Sequence, residues 1–252
     1  MDKSKLGEFM DRVAVITGGT AGIGRHLAIA LARQGTDVFF CGRRPEQGEE
    51  TAALCEGRGH YCCFDAARPE DIAQFVGAAL RFNGRIDYVI NNVAVDTRIQ
   101  FAEATLEEFD HLIAVNLRSA FAVTQAALPG LRAGTGRSVV NVGTTNYMLG
   151  LAPFTVYNAS KAGLLGFTRS LARELGPERI RVNMLSPGWI MTAKQLELYV
   201  TETDKADLLR DQALPFLLTE ENITPVILFL LSAAAGGITG QNIVVDGGKV
   251  MQ

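Results

Sequence analysis

The fold of this chain is decided by the stretch Val13-Ala14-Val15-Ile16-Thr17-Gly18-Gly19-Thr20-Ala21-Gly22-Ile23-Gly24. Its first five residues predict a buried strand, and a helical stretch from Arg25 to Gln34 follows the glycines. Glycines permit positive φ and close backbone approach, while a helix N-terminus offers unpaired N–H groups to a pyrophosphate. A tight turn alone could use these glycines, but the order of strand, glycines and helix favours dinucleotide binding. The candidate contacts are Gly18, Thr20, Gly22, Ile23 and Gly24.

The rest of the chain repeats this rhythm, with apolar β-rich runs alternating with longer stretches of helical period. Such alternation predicts a doubly wound α/β fold of the Rossmann-like type, a seven-stranded parallel sheet flanked by helices. No repeat, low-complexity tract or linker interrupts it, so residues 1–252 are interpreted as a single domain. Strands are expected at Val13–Thr17, Asp37–Cys41, His60–Phe64, Asp87–Asn91, Ser138–Val142, Arg181–Leu185 and Asn242–Val245.

The rhythm breaks between Trp189 and Pro215, where a charged stretch bearing Leu and Tyr delays the next helix. That helix is expected to begin after Thr219, with Glu220 and Glu221 in its first turn. An insertion at the carboxyl end of a strand lies where open α/β sheets bind ligands. Residues 189–215 are therefore predicted to form a substrate lid.

Composition narrows the class of partner. The 252 residues are 48% hydrophobic with a formal charge of -3, and no basic cluster suggests nucleic acid or an anionic membrane surface. Small-molecule partners are favoured. No secretory signal is recognised, and the most apolar helix candidate, Pro225 to Gly237, is shorter than the roughly 20 residues that a bilayer requires. We expect a cytoplasmic protein.

No metal site is expected, because the cysteines show no C-x-x-C spacing and the histidines no ligand periodicity. Reduced core thiols are favoured, although a disulfide between Cys41 and the Cys62/Cys63 pair stays open. The residues concerned are Cys41, Cys55, Cys62, Cys63, His26, His60 and His111.

The end of the second predicted strand bears on the choice of nicotinamide cofactor. NAD is usually marked by an acid about 20 residues beyond the glycines, which binds the ribose hydroxyls. Here Gly42 stands in that place and Arg43 and Arg44 follow. Guanidinium groups bind a 2′-phosphate that a carboxylate would repel. NADP(H) is therefore preferred over NAD(H), and Arg43 is the stronger candidate for binding the 2′-phosphate. Two arginines in a solvated loop would give the same sequence pattern.

A candidate acid/base pair lies in Tyr157-Asn158-Ala159-Ser160-Lys161, because a Tyr and a Lys four apart on a helix project from one face. Carbonyl reduction needs hydride at carbon and a proton for the developing alkoxide. A tyrosine pKa of about 10 is too high for a base near neutrality. The Lys161 ammonium and a positive nicotinamide are expected to lower the pKa of Tyr157. Taken alone, the spacing also fits an ordinary amphipathic helix.

Together the G-x-x-x-G-x-G turn, Tyr157-x-x-x-Lys161 and Pro187-Gly188 resemble the short-chain dehydrogenase/reductase family, from Val13 to Gly248. The resemblance implies hydride transfer between nicotinamide and an alcohol/carbonyl pair. It also implies that Lys161 bonds the nicotinamide ribose. Thr144, thirteen positions before Tyr157, stands where the family has a serine, and its hydroxyl is expected to donate to the substrate oxygen, with Thr145 as the fallback.

The resemblance implies further roles. Asn91-Asn92-Val93-Ala94 resembles the family's N-N-A-G segment beneath the cofactor and departs from it at the last two positions. Asn116 matches the asparagine that bends a helix and holds a water near the lysine. Asp65 is expected either to face the adenine or to cap the following helix. Pro187, Ile190 and Thr192 match the segment that clamps the nicotinamide carboxamide.

Substrate and direction stay open at this stage. Pocket candidates are Asn146, Tyr147, Met148, Phe154, Trp189, Gln195, Leu196 and Tyr199. Sugars and polyols, 3-oxoacyl thioesters, hydroxysteroids and xenobiotic ketones all fit. Two alternatives are an epimerase, dehydratase or isomerase that uses the same site, and a non-catalytic dinucleotide sensor. A homotetramer or homodimer, packed through helices that contain Phe167 and Val226–Leu231, is expected from the family.

Overall fold

The structure, a computed structural model, describes residues 7–251. Seven parallel strands form one sheet in the order β3-β2-β1-β4-β5-β6-β7, and helices cover both faces of this single domain. The order reverses between β1 and β4, and ligands of open α/β sheets bind at such a switch point, beyond the carboxyl ends of the strands.

The strands are β1 Val13–Thr17, β2 Asp37–Gly42, β3 Gly59–Cys63, β4 Tyr88–Asn91, β5 Ser138–Val142, β6 Arg181–Pro187 and β7 Asn242–Val245. The helices are α1 Gly22–Arg33, α2 Pro45–Leu54, α3 Pro69–Asn83, α4 Leu106–Ile113, α5 Ser119–Ala133, α6 Asn146–Leu149, α7 Thr155–Leu175, α8 Ala193–Leu198, α9 Glu202–Asp211 and α10 Glu220–Leu231. A turn of π-helix at Ala114–Arg118 joins α4 to α5, and short 3-10 turns lie at Gly176–Glu178 and Ala233–Ala235.

All seven predicted strands exist, and three have the predicted bounds. β6 runs two residues further than predicted, since Ser186 and Pro187 still pair with Val244 and Val245 of β7. β4 begins one residue later, at Tyr88. The preceding Asp87 is buried and its carboxylate accepts from the main-chain N–H groups of Val13, Thr135 and Gly136 at 2.8–3.0 Å.

The core lies in two layers because successive strand residues point to opposite faces. Ala14 and Ile16 of β1 pack with α1 and α10, and Val13 and Val15 pack with α3 and α5. Helix α10 supplies fully buried side chains such as Ile223 and Ile227. Each such side chain stabilises the fold by about 1.5–3 kcal/mol.

The segment after β6 contains two short helices, α8 and α9, before α10 begins. Thr219 is the N-cap of α10 and its N–H donates to Asn222 Oδ1 at 2.9 Å. The predicted start of that helix, with Glu220 and Glu221 in its first turn, is therefore confirmed.

Within residues 7–251, no helix is long and apolar enough to cross a membrane, and no group of His, Cys, Asp and Glu is arranged to hold a metal ion. Cys41 lies opposite Cys62 in the register of β2 and β3, and both thiols are free.

Candidate active site

The glycine-rich turn has the geometry that a bound pyrophosphate requires. Gly18 and Gly22 adopt positive φ angles of 72° and 52°. A Cβ atom at Gly24 would lie 2.2 Å from the main-chain oxygen of Gly18, so only glycine lets α1 start this close to β1. Ala21, the N-cap of α1, makes no side-chain bond to the first-turn amides, including that of Ile23. These N–H groups suit an anion.

Asn92 braces this turn from the next strand along the sheet. Its Nδ2 donates to the main-chain oxygens of Thr17 and Gly18 at 3.0 and 3.1 Å, and its N–H donates to Thr17 Oγ1 at 3.0 Å. Val93 also borders this turn, with its Cα 3.1 Å and its Cβ 3.3 Å from a Cβ built on Gly18. The amide of Asn92 thus holds the glycine-rich turn in shape.

The end of β2 carries the two candidate arginines. Arg43 and Arg44 are exposed, and neither has an ion-pair or hydrogen-bond acceptor for its side chain among the described residues. A Cβ atom at Gly42 would lie 2.5 Å from Thr20 Cγ2 and 2.7 Å from Thr20 Oγ1. Thr20 therefore fills the direction in which an NAD-type acid would project. The end of β2 thus offers two uncommitted guanidinium groups and no acid at residue 42.

Asp65 closes a short turn beyond β3. Its Oδ1 accepts from the N–H of Ala67 at 2.9 Å, and its own N–H donates to Asp71 Oδ2 at 2.9 Å. The N-cap of α3 is Arg68, so Asp65 is not the cap of that helix. The capping alternative is wrong, because the turn through residues 65–68 separates Asp65 from the first helical residue.

The candidate acid/base group lies at the carboxyl ends of β4 and β5. Tyr157 is buried near the start of α7, with the Thr144 side chain beside it. Lys161, one helical turn further, is 1% exposed, and its Nζ donates to the main-chain oxygen of Val142 at 2.7 Å. The Lys161 Nζ lies 6.0 Å from the centre of the Tyr157 ring.

Burial dominates the ionisation of both groups. It lowers the pKa of Lys161 to about 8, with the Asp96 carboxylate opposing that effect. Burial also raises the pKa of the Tyr157 phenol; the Asp96 carboxylate adds to the rise and the bond to Thr144 opposes it. The expected lowering of the tyrosine pKa is thus wrong for the protein alone, because loss of hydration in the interior outweighs the effect of a nearby cation.

The two threonines have different partners. The Thr144 hydroxyl accepts from the N–H of Asn146 at 3.2 Å and faces Tyr157. Thr145 instead donates its hydroxyl and its N–H to the main-chain oxygen of Pro187, at 3.4 and 3.1 Å. Thr144 therefore lies beside the tyrosine and Thr145 ties β5 to β6.

Asn116 is buried in the π-helical turn between α4 and α5. Its amide bonds both main-chain groups of Val95, accepting at 2.8 Å and donating at 3.0 Å. It also donates to Ser160 Oγ at 3.1 Å, and that hydroxyl donates to the Tyr157 carbonyl at 2.7 Å. The widened turn thus fixes α7 against the segment that follows β4.

The segment after β6 leads back to the glycine-rich turn. Ile190 is buried and its carbonyl accepts from the N–H of Thr192 at 2.8 Å. Thr192 is the N-cap of α8, and its Oγ1 accepts from the N–H of Gln195 at 3.3 Å. A Cβ atom on Gly22 would lie 3.4 Å from Thr192 Cγ2. The start of the predicted lid therefore borders the start of α1.

This architecture and site match known proteins over nearly the whole chain. The family model described as enoyl-(acyl carrier protein) reductase matches residues 18–249. A probable galactose dehydrogenase, GalD, of Rhizobium meliloti is 33% identical over 252 residues, covering 98% of both chains. The D-xylose 1-dehydrogenase of Caulobacter vibrioides is 35% identical over 234 residues, covering 93% of this chain and 94% of that one. A crystal structure of a putative short-chain alcohol dehydrogenase from Sinorhizobium meliloti superposes with a TM-score of 0.89 at 33% identity, covering 95% of this chain and 96% of that one.

The chain belongs to the short-chain dehydrogenase/reductase family. As a member it is an oxidoreductase of small molecules that acts on CH–OH or C=O groups with a nicotinamide cofactor.

Two charged residues of this short-chain dehydrogenase/reductase escaped the sequence analysis. Asp96 Oδ1 accepts from Lys194 Nζ at 2.7 Å, and its Oδ2 accepts from Gln195 Nε2 at 2.9 Å. The guanidinium carbon of Arg98 lies 4.2 Å from the ring centre of Tyr199. Their only sequence signal is their position just after Asn91-Asn92-Val93-Ala94, at the carboxyl end of a central strand.

The aromatic pocket candidates lie in two different places. Phe154, Trp189 and Tyr199 surround Arg98 at the site. Tyr147 instead turns towards the sheet edge, where its hydroxyl accepts from Asn242 Nδ2 at 3.1 Å. This short-chain dehydrogenase/reductase thus has an aromatic wall on the α8 side of Tyr157.

Proposed function

We propose that this protein is an NADP(H)-dependent oxidoreductase that transfers a hydride between nicotinamide and an alcohol/carbonyl substrate, with Tyr157 as the acid/base. The observation that carries the proposal is the buried Tyr157, with Thr144 beside it and with Lys161 one helical turn later bonded to Val142 of β5. A phenol whose pKa is raised keeps its proton at neutral pH, as an acid for carbonyl reduction must.

The chain's residues divide the proton chemistry between them. The nicotinamide supplies or accepts the hydride when bound. Thr144 holds the substrate oxygen, and Tyr157 donates a proton to that oxygen during reduction or removes it during oxidation. A donor placed at a developing oxyanion contributes about 2.7–4 kcal/mol to catalysis. Because Asn146 N–H donates to Thr144 Oγ1, the threonine hydroxyl is free to direct its own hydrogen at a partner.

Lys161 acts on the acid/base through charge. With a pKa near 8 it is largely an ammonium at neutral pH, and that charge favours the phenolate that forms when Tyr157 gives up its proton. Its bond to Val142 ties it to the strand that leads to Thr144. Asn116 acts as a positioning residue because it joins α7 to the segment after β4 through Ser160.

The cofactor preference rests on the end of β2. Arg43 and Arg44 offer guanidinium donors with no competing acid, and Thr20 occludes the place of an acid at residue 42. A charge-assisted bidentate contact to phosphate is strong and geometrically specific. Gly18, Gly22 and Gly24 would face the pyrophosphate, Asp65 and Asn92 the adenosine half, and Pro187, Ile190 and Thr192 the nicotinamide.

Residues 189–215 act as a substrate lid in this proposal. Support comes from the bonds of Lys194 and Gln195 to Asp96, which join α8 across the site to the segment after β4. The names of the two relatives make aldoses, oxidised at the carbon that bears the anomeric hydroxyl, the first compounds to test.

Homo-oligomer formation, as a homotetramer or homodimer, is part of the proposal. Phe121 of α5 and Phe229 of α10 are 49% and 42% exposed. Such large apolar side chains on long helices are typical of interfaces. Light scattering of the purified chain tests this part on its own, and a monomer at micromolar concentration contradicts it.

The decisive test follows nicotinamide absorbance with NADPH or NADP⁺ against ketones, aldoses and 3-oxoacyl thioesters. We expect turnover of at least one class, with Tyr157→Phe lowering kcat by about 10²–10⁴. Tyr147→Phe is the matched control, since its hydroxyl bonds Asn242, outside the acid/base group. Tight NADPH binding without turnover in any class, or equal turnover by Tyr157→Phe, overturns the proposal.

A further inference from the structure

Arg98 is the charged residue at the site that none of the steps above uses. It lies beyond β4, on the segment that Asn116 holds through Val95. Its guanidinium carbon is 4.2 Å from the ring centre of Tyr199, 5.5 Å from that of Phe154 and 5.9 Å from that of Trp189. Trp189 and Tyr199 belong to the predicted lid, residues 189–215, and Phe154 is the N-cap of α7.

The rings of Phe154, Trp189 and Tyr199, the aromatic wall described above, form a cage around Arg98 that lies next to the acid/base group. The ring centre of Phe154 is 6.0 Å from that of Tyr157. Phe154 therefore borders both Arg98 and the proposed acid/base. A substrate whose reacting carbon lies at Tyr157 can extend its far end to this guanidinium.

The Arg98 side chain is exposed, and its N–H groups are open to solvent or to a ligand. Aromatic faces stabilise the cation but accept none of its five N–H groups in the plane of the guanidinium. No hydrogen-bond acceptor or ion-pair partner for Arg98 is found in the part of the chain that the structure describes. Hydrogen bonds from Thr201, and to a lesser extent the Arg98 charge, lower the pKa of Asp204. Oδ2 of that carboxylate accepts from the N–H and the hydroxyl of Thr201.

Lys194, the neighbouring cation, is not available to a ligand as Arg98 is. Lys194 also lies over Tyr199, at 5.9 Å, but it is held by Asp96 at 2.7 Å. Gln195 is shared between Asp96 and Trp189 Nε1, which donates to Gln195 Oε1 at 2.9 Å. Asp96 thus neutralises the lysine of the lid and leaves Arg98 as the uncommitted cation of this cage.

We propose that Arg98 is a specificity-determining residue that binds a carboxylate on the substrate, so that the protein prefers acidic alcohols or carbonyl compounds to their neutral counterparts. A carboxylate matches one guanidinium, which can hold both its oxygens in a planar, bidentate pair. A phosphate monoester would call for a second free cation, and Lys194 is already paired. The inference rests on the proposed function, since it assigns a substrate class to the same site.

A matched sugar series tests this inference. D-Xylose, D-glucose and D-glucuronate share the reacting carbon and differ at carbon 5, which bears hydrogen, a hydroxymethyl group or a carboxylate. Oxidation breaks the C–H bond at carbon 1, passes a hydride to NADP⁺ and a proton to Tyr157, and leaves the lactone. We expect D-glucuronate to have the highest kcat/KM of the three.

The variant that isolates the charge is Arg98→Met, which keeps the long stem for packing against the rings. The ratio of kcat/KM for D-glucuronate to that for D-glucose should fall about 10- to 100-fold, mostly through KM, the effect of losing a hydrogen-bonded charge. Arg98→Lys should restore part of the ratio. Arg173→Met, an exposed arginine near the far end of α7, is the control and should keep it.

A binding measurement keeps the inference testable without turnover. Calorimetric titration of the NADPH-bound protein with 4-oxopentanoate and its methyl ester should be done at a pH and time that allow no reduction, or in Tyr157→Phe. We expect the acid to bind about 10-fold tighter than the ester in a protein with Arg98, and no preference in Arg98→Met.

The outcomes separate the two claims. Equal affinity for acid and ester, or an Arg98→Met variant that loses activity on neutral and acidic sugars to the same extent, overturns the carboxylate site and leaves the arginine as a packing group for the lid. Turnover of neutral sugars dependent on Tyr157 would still support the proposed function. A protein that binds the acid through Arg98 but never oxidises or reduces any compound overturns the proposed function instead.

Discussion

The Nζ of Lys161 donates a 2.7 Å hydrogen bond to the main-chain oxygen of Val142, the last residue of β5. This bond fixes α7, which carries Tyr157, against the strand that leads into Thr144. It also holds an ionisable group in the interior, with burial lowering its pKa to about 8. Such a charge destabilises the folded protein, and several consequences can be measured.

Replacing this lysine should stabilise the unliganded protein. A pKa lowered from the ordinary 10.5 to about 8 corresponds to a cost of ~3 kcal/mol for the buried ammonium. Loss of the bond to Val142 takes back about 1 kcal/mol. In urea unfolding at pH 7, Lys161→Met should therefore raise the free energy of unfolding by about 1–3 kcal/mol while abolishing activity.

The gain should depend on pH in a defined direction. The folded lysine loses its proton near pH 8 and the unfolded lysine near 10.5, so the cost is complete below 8 and disappears as the pH rises to 10.5. The advantage of Lys161→Met should shrink over this window. Lys205→Met, at an exposed ion pair, should change stability by less than about 1 kcal/mol. A less stable Lys161→Met at pH 7 contradicts the argument.

The raised pKa of Tyr157 predicts opposite pH dependences for carbonyl reduction and alcohol oxidation. Burial and the Asp96 carboxylate raise the pKa of the phenol, so the protonated form dominates at neutral pH. Carbonyl reduction needs that form, and alcohol oxidation needs the phenolate. We expect the reduction rate to be level below neutral pH and to fall in the alkaline range, while the oxidation rate rises there. Stopped-flow rates of the hydride step would show this, and parallel profiles for both directions would refute it.

The methyl group and hydroxyl of Thr144 can be separated by substitution. Thr144→Val removes the hydroxyl that faces Tyr157 and should lower kcat about 10²–10³-fold. Thr144→Ser keeps the hydroxyl and should retain most of the activity. Thr145→Val removes a bond to the Pro187 carbonyl, so it should lower the melting temperature more than kcat. Steady-state kinetics with normal values for Thr144→Val would transfer the role to Thr145.

The cofactor preference predicts an asymmetric response at the end of β2. Arg43→Ala should weaken NADPH binding about 10- to 100-fold, because a charge-assisted contact to the 2′-phosphate is lost. NADH binding should be unchanged within error, since NADH lacks that phosphate. Fluorescence titration measures both. Arg58→Ala, whose guanidinium is paired with Asp37 at 3.1 Å, is the control and should keep the preference. Equal weakening for both cofactors would contradict the assignment.

Because Thr20 fills the space beside Gly42, an acid at residue 42 should favour NADH only if Thr20 is also replaced by a smaller residue. Gly42→Asp places a Cβ atom 2.5 Å from Thr20 Cγ2, so this variant should bind both cofactors poorly. Adding Thr20→Ala removes the contacts at 2.5 and 2.7 Å and should recover NADH binding but not NADPH binding. Recovery of NADPH binding by the double variant would show that residue 42 does not face the ribose.

The sequence predicted what local patterns determine. The seven strands follow from apolar runs, and the glycine turn follows from a close approach that Gly24 alone permits. The pairing of Tyr157 with Lys161 follows from helical spacing. A spacing of thirteen residues before Tyr157 predicts Thr144, and this threonine lies beside the tyrosine in the structure.

Contacts between residues far apart in the chain could not be predicted from the sequence. Asp96 and Arg98 acquire partners from Lys194 and Tyr199, about 100 residues later in the chain, and no spacing rule connects them. The direction of the tyrosine pKa depends on burial, which a list of nearby charges omits. The turn at Asp65 resembles a helix cap in sequence because Arg68-Pro69 follows closely, and only the backbone path separates the two.

The most direct test of hydride transfer is a single turnover with NADPH that carries deuterium at the transferred position of its nicotinamide, followed by mass spectrometry of the product. We predict one deuterium on the carbinol carbon and one equivalent of NADP⁺ formed, and neither from Tyr157→Phe within the time that the unaltered protein needs for one turnover. A product without deuterium and with NADPH left intact would contradict the account and indicate an isomerase, epimerase or dehydratase.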